Sequence, residues 1–449
     1  MDEGGARRGD RGQIGRRDVF RLGGAALAAG ALAACGTTGG SGGGSSSVVF
    51  LSDQLSQTDE AAAMRRQVLS RFSGSVNFIP TNDVTQFIDQ VVAQTKTGSA
   101  KIDLIGGLQG DFVSLEAKVP LRDMSDVISE LSDRDFPPQY LELAKINGAY
   151  RFVPWIQATY LMAANKQALA HLPAGASTSS LTYDQLLAWG KALKSATGRP
   201  LLGWPASPDG LIKRFFEGYA YPSFTGGVNT TFSSADAMAM WQWFKQTWAV
   251  SNPQSPTYSF MQEPLMSGEV WVAWDHAVRL VDALKNQPDN FVVFPAPTGP
   301  KGLAYAPVLG GLAIPTTSKN VAQAKELISY LTEPQTTATM LNAEAWFPPI
   351  GISKLPSSLA PGVTAEAKAI QQMESVPGAI SSKLPVGLGS QSSAYDKVFT
   401  DTFTQICING APIGSTLANE AKTLQSVLTS AGAACWQPDP PSSGACQVG

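Results

Sequence analysis

Val48-Val49-Phe50-Leu51-Ser52-Asp53-Gln54 is a short apolar strand that ends in polar residues, and the chain then repeats the idea twice. Asp59 to Phe72 reads as a helix, with Met64, Val68 and Phe72 at i, i+4 and i+8. Val76-Asn77-Phe78-Ile79 is a second strand, and Val84 to Gln94 a helix carrying Phe87, Ile88, Val91 and Val92. Ile102-Asp103-Leu104-Ile105 is a third strand, running into Gly106-Gly107. This βαβαβ rhythm calls for a mostly parallel sheet with helices on its faces, the α/β class. Polar residues come after each strand: Asp53 and Gln54, then Asn82 and Asp83, then Gln109 and Asp111. Open α/β sheets bind ligands outside the carboxyl ends of their strands, so these six are ligand candidates. The same residue types also cap helices and form turns. Asp103, at a strand start, is assigned to structure.

From about 160 to 290 the pattern is more helical. Thr182 N-caps a helix running to Leu193. Another spans Ser233 to Trp248, where Trp241, Phe244 and Trp248 at helical spacing read as core rather than as a sugar platform. Phe294-Pro295-Ala296-Pro297 and Trp346-Phe347-Pro348-Pro349 read as joints between domains, and no internal repeat is present.

Composition narrows the function. The 449 residues allow two or three domains, and 43% hydrophobic against 15% charged residues describes a globular chain. A net charge of −3 without a basic stripe is a poor match to phosphate backbones, so no nucleic-acid partner is expected. Two histidines, His171 and His276, and four dispersed cysteines exclude a His-rich metal site and paired zinc knuckles. No metal or cofactor is expected.

The amino terminus reads as an address. Arg16 and Arg17 precede the apolar run Leu22 to Ala34, thirteen residues of mostly Leu, Ala and Gly. A membrane span needs roughly 20, so this is a signal-peptide core. Leu32-Ala33-Ala34-Cys35 resembles the lipobox of bacterial lipoproteins, which makes 1–34 the signal peptide and Cys35 the lipidated residue. The arginine pair resembles a twin-arginine export signal more weakly. Residues 35–47, rich in Gly and Ser, read as a flexible tether. Of Cys407, Cys435 and Cys446, two can form one disulfide, and the sequence leaves the pair open. Residues 436–449 read as a flexible tail unless Cys446 pins them.

Five further blocks carry a family resemblance. Asn147-Gly148-Ala149-Tyr150-Arg151-Phe152-Val153-Pro154-Trp155 resembles the "DGKLYGVPW" hairpin of extracellular solute-binding proteins of ABC sugar importers, the family that includes maltose-binding protein. Ala164-Asn165-Lys166-Gln167-Ala168-Leu169 resembles "YNKDLL", and Leu181 to Leu193 resembles "TWDELLAAAKKL". Met266 to Val272 resembles "FAAGKAAM", and Leu309-Gly310-Gly311-Leu312-Ala313-Ile314-Pro315 with the helix to Leu331 resembles "GGWGLAIPKGSKNPEAAWEFLKFL". The usual "NGPW" is replaced by Trp274-Asp275-His276-Ala277-Val278.

The resemblance implies a two-lobed periplasmic-binding-protein clamshell of type II, with ligand between α/β lobes. Lobe one would comprise 48–155 with 298–342, and lobe two 156–297 with 343–435. Crossings would fall near Trp155 to Ala158, Phe294 to Thr298 and Asn342 to Trp346. It implies a monomer that captures a disaccharide or short oligosaccharide by closure and delivers it to ABC transporter permease subunits, held at the extracytoplasmic face of the cell membrane by its lipid. Sugars need flat rings and planar polar groups. The mapping therefore nominates Trp155, Gln157, Tyr219, Tyr221, Trp274, Asp275 and Phe347, with Gly310 and Gly311 allowing close backbone approach. His276 reads as a hydrogen-bonding wall residue rather than a catalyst. Other readings are a glycerophosphodiester or polyol cargo, a ligand-presenting sensor, and a secreted glycosidase using two carboxylates. No nucleophile, phosphate-loop or metal motif supports an enzyme.

Overall fold

Two sheets organise the chain. The structure is a computed structural model that describes residues 47–449 other than 57, 345, 351–353 and 356–358; the leader and Cys35 lie outside the described residues. Nine strands position the site: β1 (Val48–Ser52), β2 (Val76–Pro80), β3 (Leu104–Leu108), β4 (Val153–Ala158), β5 (Tyr160–Asn165), β6 (Leu202–Gly203), β7 (Val272–His276), β8 (Phe291–Phe294) and β9 (Val308–Ala313). The first sheet has the order β2-β1-β3-β9-β4, the second β8-β5-β7-β6.

The parallel pairing of β1 with β2 and β3 is the arrangement that the βαβαβ rhythm calls for. Each sheet also holds one reversed strand. In the first it is β9, antiparallel to β3 and β4; in the second it is β5, antiparallel to β8 and β7. Every residue of β4, β7 and β9 is buried, as expected of strands covered on both faces. Thr159 alone separates β4 from β5, so the chain passes from one sheet into the other within a single residue.

Local chemistry sets the helix ends. Val84–Thr97 runs three residues beyond its sequence-based end; the Asp83 side chain accepts from the Gln86 N–H at its start, and Gly98 closes it at φ 65°. Thr182 and Gln185 form a capping box for Tyr183–Thr197. The expected helix from Asp59 to Phe72 is broken instead. It is α-helical over Thr58–Ala63, widens to π over Met64–Val68 and tightens to 3₁₀ over Leu69–Arg71, with Met64 and Val68 still buried. Asp103 is structural: it accepts from Val49 N, Ser318 Oγ and Asn320 Nδ2, tying β1 to the loop before the helix Val321–Leu331.

Two glycines and the tail depart from the sequence-based expectation. Gly310 and Gly311 serve strand packing, not ligand approach. A Cβ at Gly310 would lie 2.7 Å from Ile156 Cγ1, and one at Gly311 would overlap the Phe152 ring. Residues 436–449 are no loose tail either. A Cys435–Cys446 disulfide closes them, leaving Cys407 as a free thiol. Within that loop the buried Asp439 carboxylate accepts from the N–H groups of Val228, Asn229 and Thr230 and from Thr230 Oγ1, all within 3.1 Å. Among the described residues no helix is long and apolar enough to cross a membrane.

Candidate ligand cleft

The carboxyl ends of β1, β3 and β7 converge on a cavity of about 590 Å³, lined among others by Asp53, Gln54, Leu108, Tyr160, Arg214, Phe260, Gln262, His276, Arg279 and Trp346. Asp53 and Gln54 come from the turn after β1. The Gln54 amide donates to Asp53 Oδ1 at 3.0 Å. Behind them Asp111 accepts from Leu108 N at 2.7 Å and lines an adjoining cavity of about 280 Å³, which shares Leu108, Arg214 and Leu384 with the first. Burial pushes the Asp53 carboxyl up. Burial together with the neighbouring Asp53 charge pushes Asp111 well above the usual carboxylate range.

The opposite wall is aromatic. Tyr160 opens β5 directly after the crossing residue Thr159 and pairs in register with His276, the last residue of β7. The Tyr160 ring stacks on Trp274 at 4.7 Å between centroids with planes 4° apart, and His276 meets it edge-on at 4.9 Å. Trp346 stands edge-on to His276 at 5.8 Å. Tyr160 and His276 are only 3% and 8% exposed. Neither the Tyr160 hydroxyl nor the His276 ring has a hydrogen-bond partner among the described residues. Burial, with the Arg279 charge nearby, lowers His276 to about 3, so the imidazole is neutral and offers one donor and one acceptor.

Arg279 rests on Phe260, its guanidinium carbon 4.3 Å from the ring centroid, and donates to the Ser259 carbonyl at 2.9 Å. Arg214 is engaged otherwise, ion-paired to both Glu217 and Asp396. Burial raises the Glu217 carboxyl to about 7 against the opposing pull of Arg214.

Of the residues nominated from sequence, Asp53 and Gln54 line the cleft and Asp111 lines the side cavity; the rest are elsewhere. Trp155 is fully buried, edge-on to Phe50 in the first sheet's core. Trp274 is also fully buried, because it sits two residues short of the end of β7, roughly 7 Å deeper than His276. Asp275 points away to cap Met261 N at 2.9 Å, and burial raises it to about 7. The Tyr219 hydroxyl accepts from Tyr160 N and donates to Tyr160 O, clamping the crossing from behind. Tyr221 packs on Phe232 and accepts from Trp241 Nε1 at 2.9 Å. Gln157 and Phe347 pair through their backbones and line a separate cavity of about 220 Å³. Asn82 and Asp83 are exposed, Asp83 as the helix cap, and Gln109 lines none of these cavities.

The cleft residues that the sequence does not nominate, Tyr160, Phe260, Arg279 and Trp346, carry only weak signals. Trp346 neighbours the nominated Phe347, and successive side chains of an extended segment point to opposite sides.

A profile of the bacterial extracellular solute-binding proteins matches residues 72–366. The chain belongs to this family. Solved structures agree on the fold. Maltose-bound MalE3 of T. maritima superposes with a TM-score of 0.67 at 18% identity, covering 85% of this chain and 100% of its own. UgpB from Mycobacterium tuberculosis in complex with glycerophosphocholine gives 0.63 at 21% identity, covering 86% and 99%. The sugar-binding protein MalE of Xanthomonas citri gives 0.65 at 16% identity, covering 85% and 97%. The solute-binding protein thus has the α/β, two-lobed architecture that the sequence blocks imply. No curated protein matches the sequence significantly.

Proposed function

We propose that this solute-binding protein captures a sugar in the cleft between β1, β3 and β7 and delivers it to the permease of an ABC importer. The observation that carries the reading is the aromatic wall with unmet polar groups. Tyr160, His276 and Trp346 present rings to a 590 Å³ space, while the Tyr160 hydroxyl and the neutral His276 imidazole lack partners among the described residues. In the same lining Asp53 Oδ2 and Trp346 Nε1 are buried without partners, each at a cost of roughly 1–3 kcal/mol that a polyhydroxyl ligand offsets by supplying the missing bonds. Rings satisfy the C–H faces of a sugar, and Asp53 and Gln54 opposite supply planar acceptors and donors.

The partition into lobes 48–155 with 298–342 and 156–297 with 343–435 is part of this proposal, and the passage from β4 to β5 through Thr159 supports it. A ligand touching both walls binds the closed form better and so shifts the chain towards it, which is how a permease would distinguish loaded from empty protein. Lipidation at Cys35, a tether over 35–47 and action as a monomer at the outer face of the membrane complete the reading. Binding rather than hydrolysis fits His276, which hydrogen-bonds to no serine or cysteine among the described residues.

A thermal-shift screen over mono-, di- and oligosaccharides tests the proposal. A ligand at about 100 times its dissociation constant adds roughly 2.7 kcal/mol of stability. A panel in which no saccharide raises Tm would overturn it.

A further inference from the structure

Two arginines line the cleft, and they are held differently. Arg214 places its terminal nitrogens on Glu217 and Asp396, so its charge is neutralised within the protein. Arg279 has no ion pair among the described residues; Asp282, three residues on, lines the same cavity without bridging to it. Asp275 lies close enough to feel the Arg279 charge, but its two carboxyl oxygens are spent on Met261 N and His276 N. One terminal nitrogen of Arg279 donates to the Ser259 carbonyl, which carries no charge, and the guanidinium plane is supported by Phe260. Phe260 is 48% exposed, so this pair stands at the cleft mouth. A stacked guanidinium is pre-oriented, and its remaining donors stay available for a planar or tetrahedral oxyanion.

The surroundings add donors. Trp346 Nε1 is buried in the same lining with no acceptor, and the Gln262 amide makes no hydrogen bond among the described residues. The lining also holds the carboxyls of Asp53, Glu60 and Asp282, and none of them forms an ion pair with Arg279 among the described residues. A neutral sugar offers Arg279 hydroxyl acceptors but no directly bonded opposite charge.

We infer that the cargo carries an oxyanion, a carboxylate or a phosphodiester on a polyhydroxyl body, and that Arg279 over Phe260 is the group that reads it. The inference rests on the cleft being the ligand site. The shared chemistry is one negative oxyanion beside hydroxyl groups; uronic or aldonic acids and glycerophosphodiesters both meet it.

Calorimetric titration of the protein with matched pairs decides the matter: glucose against glucuronate, maltose against maltobionate, and glycerol against glycerophosphoglycerol and glycerophosphocholine. The charged member of at least one pair binds more tightly, its affinity falls as salt is raised, and Arg279→Gln weakens it roughly 10- to 150-fold, the range of a charge-assisted hydrogen bond. Arg279→Lys keeps the charge, loses the flat stack, and falls between the two. Carboxylate binding without phosphodiester binding, or the reverse, identifies the source. A neutral sugar that binds more tightly than its acid counterpart, with Arg279→Gln and Arg279→Lys changing it less than about threefold, overturns the inference and leaves the sugar-binding reading intact. Failure of every compound, charged and neutral, overturns both. Melting curves of the Arg279 variants without ligand establish that they are folded.

Discussion

The two walls of the cleft are built on opposite principles. The first-sheet wall is made of strand ends: Asp53 and Gln54 sit on a turn and hold each other, with Gln54 N donating to Ser52 Oγ and Asp53 N to the Gly106 carbonyl. The second-sheet wall is the front layer of an aromatic core. Tyr160 stacks on Trp274, which meets Tyr219 and Phe215 edge-on, and Phe215 continues into Trp204 and Phe244. One wall orients through a few directional bonds; the other is a platform whose position is fixed by packing several rings deep. A ring that must meet a sugar face at a defined angle loses less freedom on binding when the core already holds it.

That contrast predicts unequal behaviour from two chemically identical changes. Trp155→Ala and Trp274→Ala each empty a fully buried indole site, and each should lower stability by roughly 3–5 kcal/mol, read by denaturant unfolding. Only Trp274→Ala should also weaken ligand binding in the folded fraction, because it removes the support of Tyr160. Equal affinity losses in both variants would erase the distinction between the walls.

Next in size is the front ring itself. Tyr160→Ala should weaken binding by roughly 2–3 kcal/mol, about 30- to 150-fold, through lost stacking and ring burial. Tyr160→Phe keeps the stack and isolates the hydroxyl, so its loss should be the smaller. Titration calorimetry on the two variants separates ring from hydroxyl.

His276 gives the second wall a pH signature. Its folded value, about 3, lies below the ordinary 6.5, so the unfolded chain binds the extra proton first as pH falls. Stability from this group is therefore full above about 6.5 and is lost progressively as pH drops towards 3. At pH 5 the loss is roughly 2 kcal/mol, and His276→Gln should remove that share of the acid sensitivity in melting curves at pH 7 and pH 5. An unchanged pH dependence in the variant would place the sensitivity elsewhere.

The smallest effect sharpens the first wall. Asp83 comes after a strand as Asp53 does, but it caps Val84–Thr97 from the surface. Asp83→Ala should cost about 1 kcal/mol of stability and leave affinity unchanged.

Strand and helix periodicity is enough to locate β1 to β3 and to call for their parallel pairing, because alternation and 3.6-residue spacing are local properties. The family blocks touch β4, β5, β7 and β9, whereas β6 and β8 lie in none of them. Depth along a strand is not local. Trp274 and His276 share a face, and only the register with Tyr160 shows that the histidine reaches the cleft while the tryptophan backs it. Rotation about an extended segment is equally invisible, which is why the sequence nominates Phe347 although its neighbour Trp346 faces the ligand space. Phe260 and Arg279 meet through a fold-dependent contact between a loop and the turn after β7, with no spacing in the sequence to announce it. The tail is misread for a related reason, since its order depends on Asp439 reaching a loop some two hundred residues away.

A crystal structure with the ligand selected by thermal shift tests the central claim most directly. The account predicts a ligand ring against Tyr160 and Trp346, with polar groups within hydrogen-bond distance of His276 and of Asp53 or Gln54. A ligand seated instead in the 220 Å³ cavity behind Gln157 and Phe347, with the Tyr160 wall untouched, would contradict it.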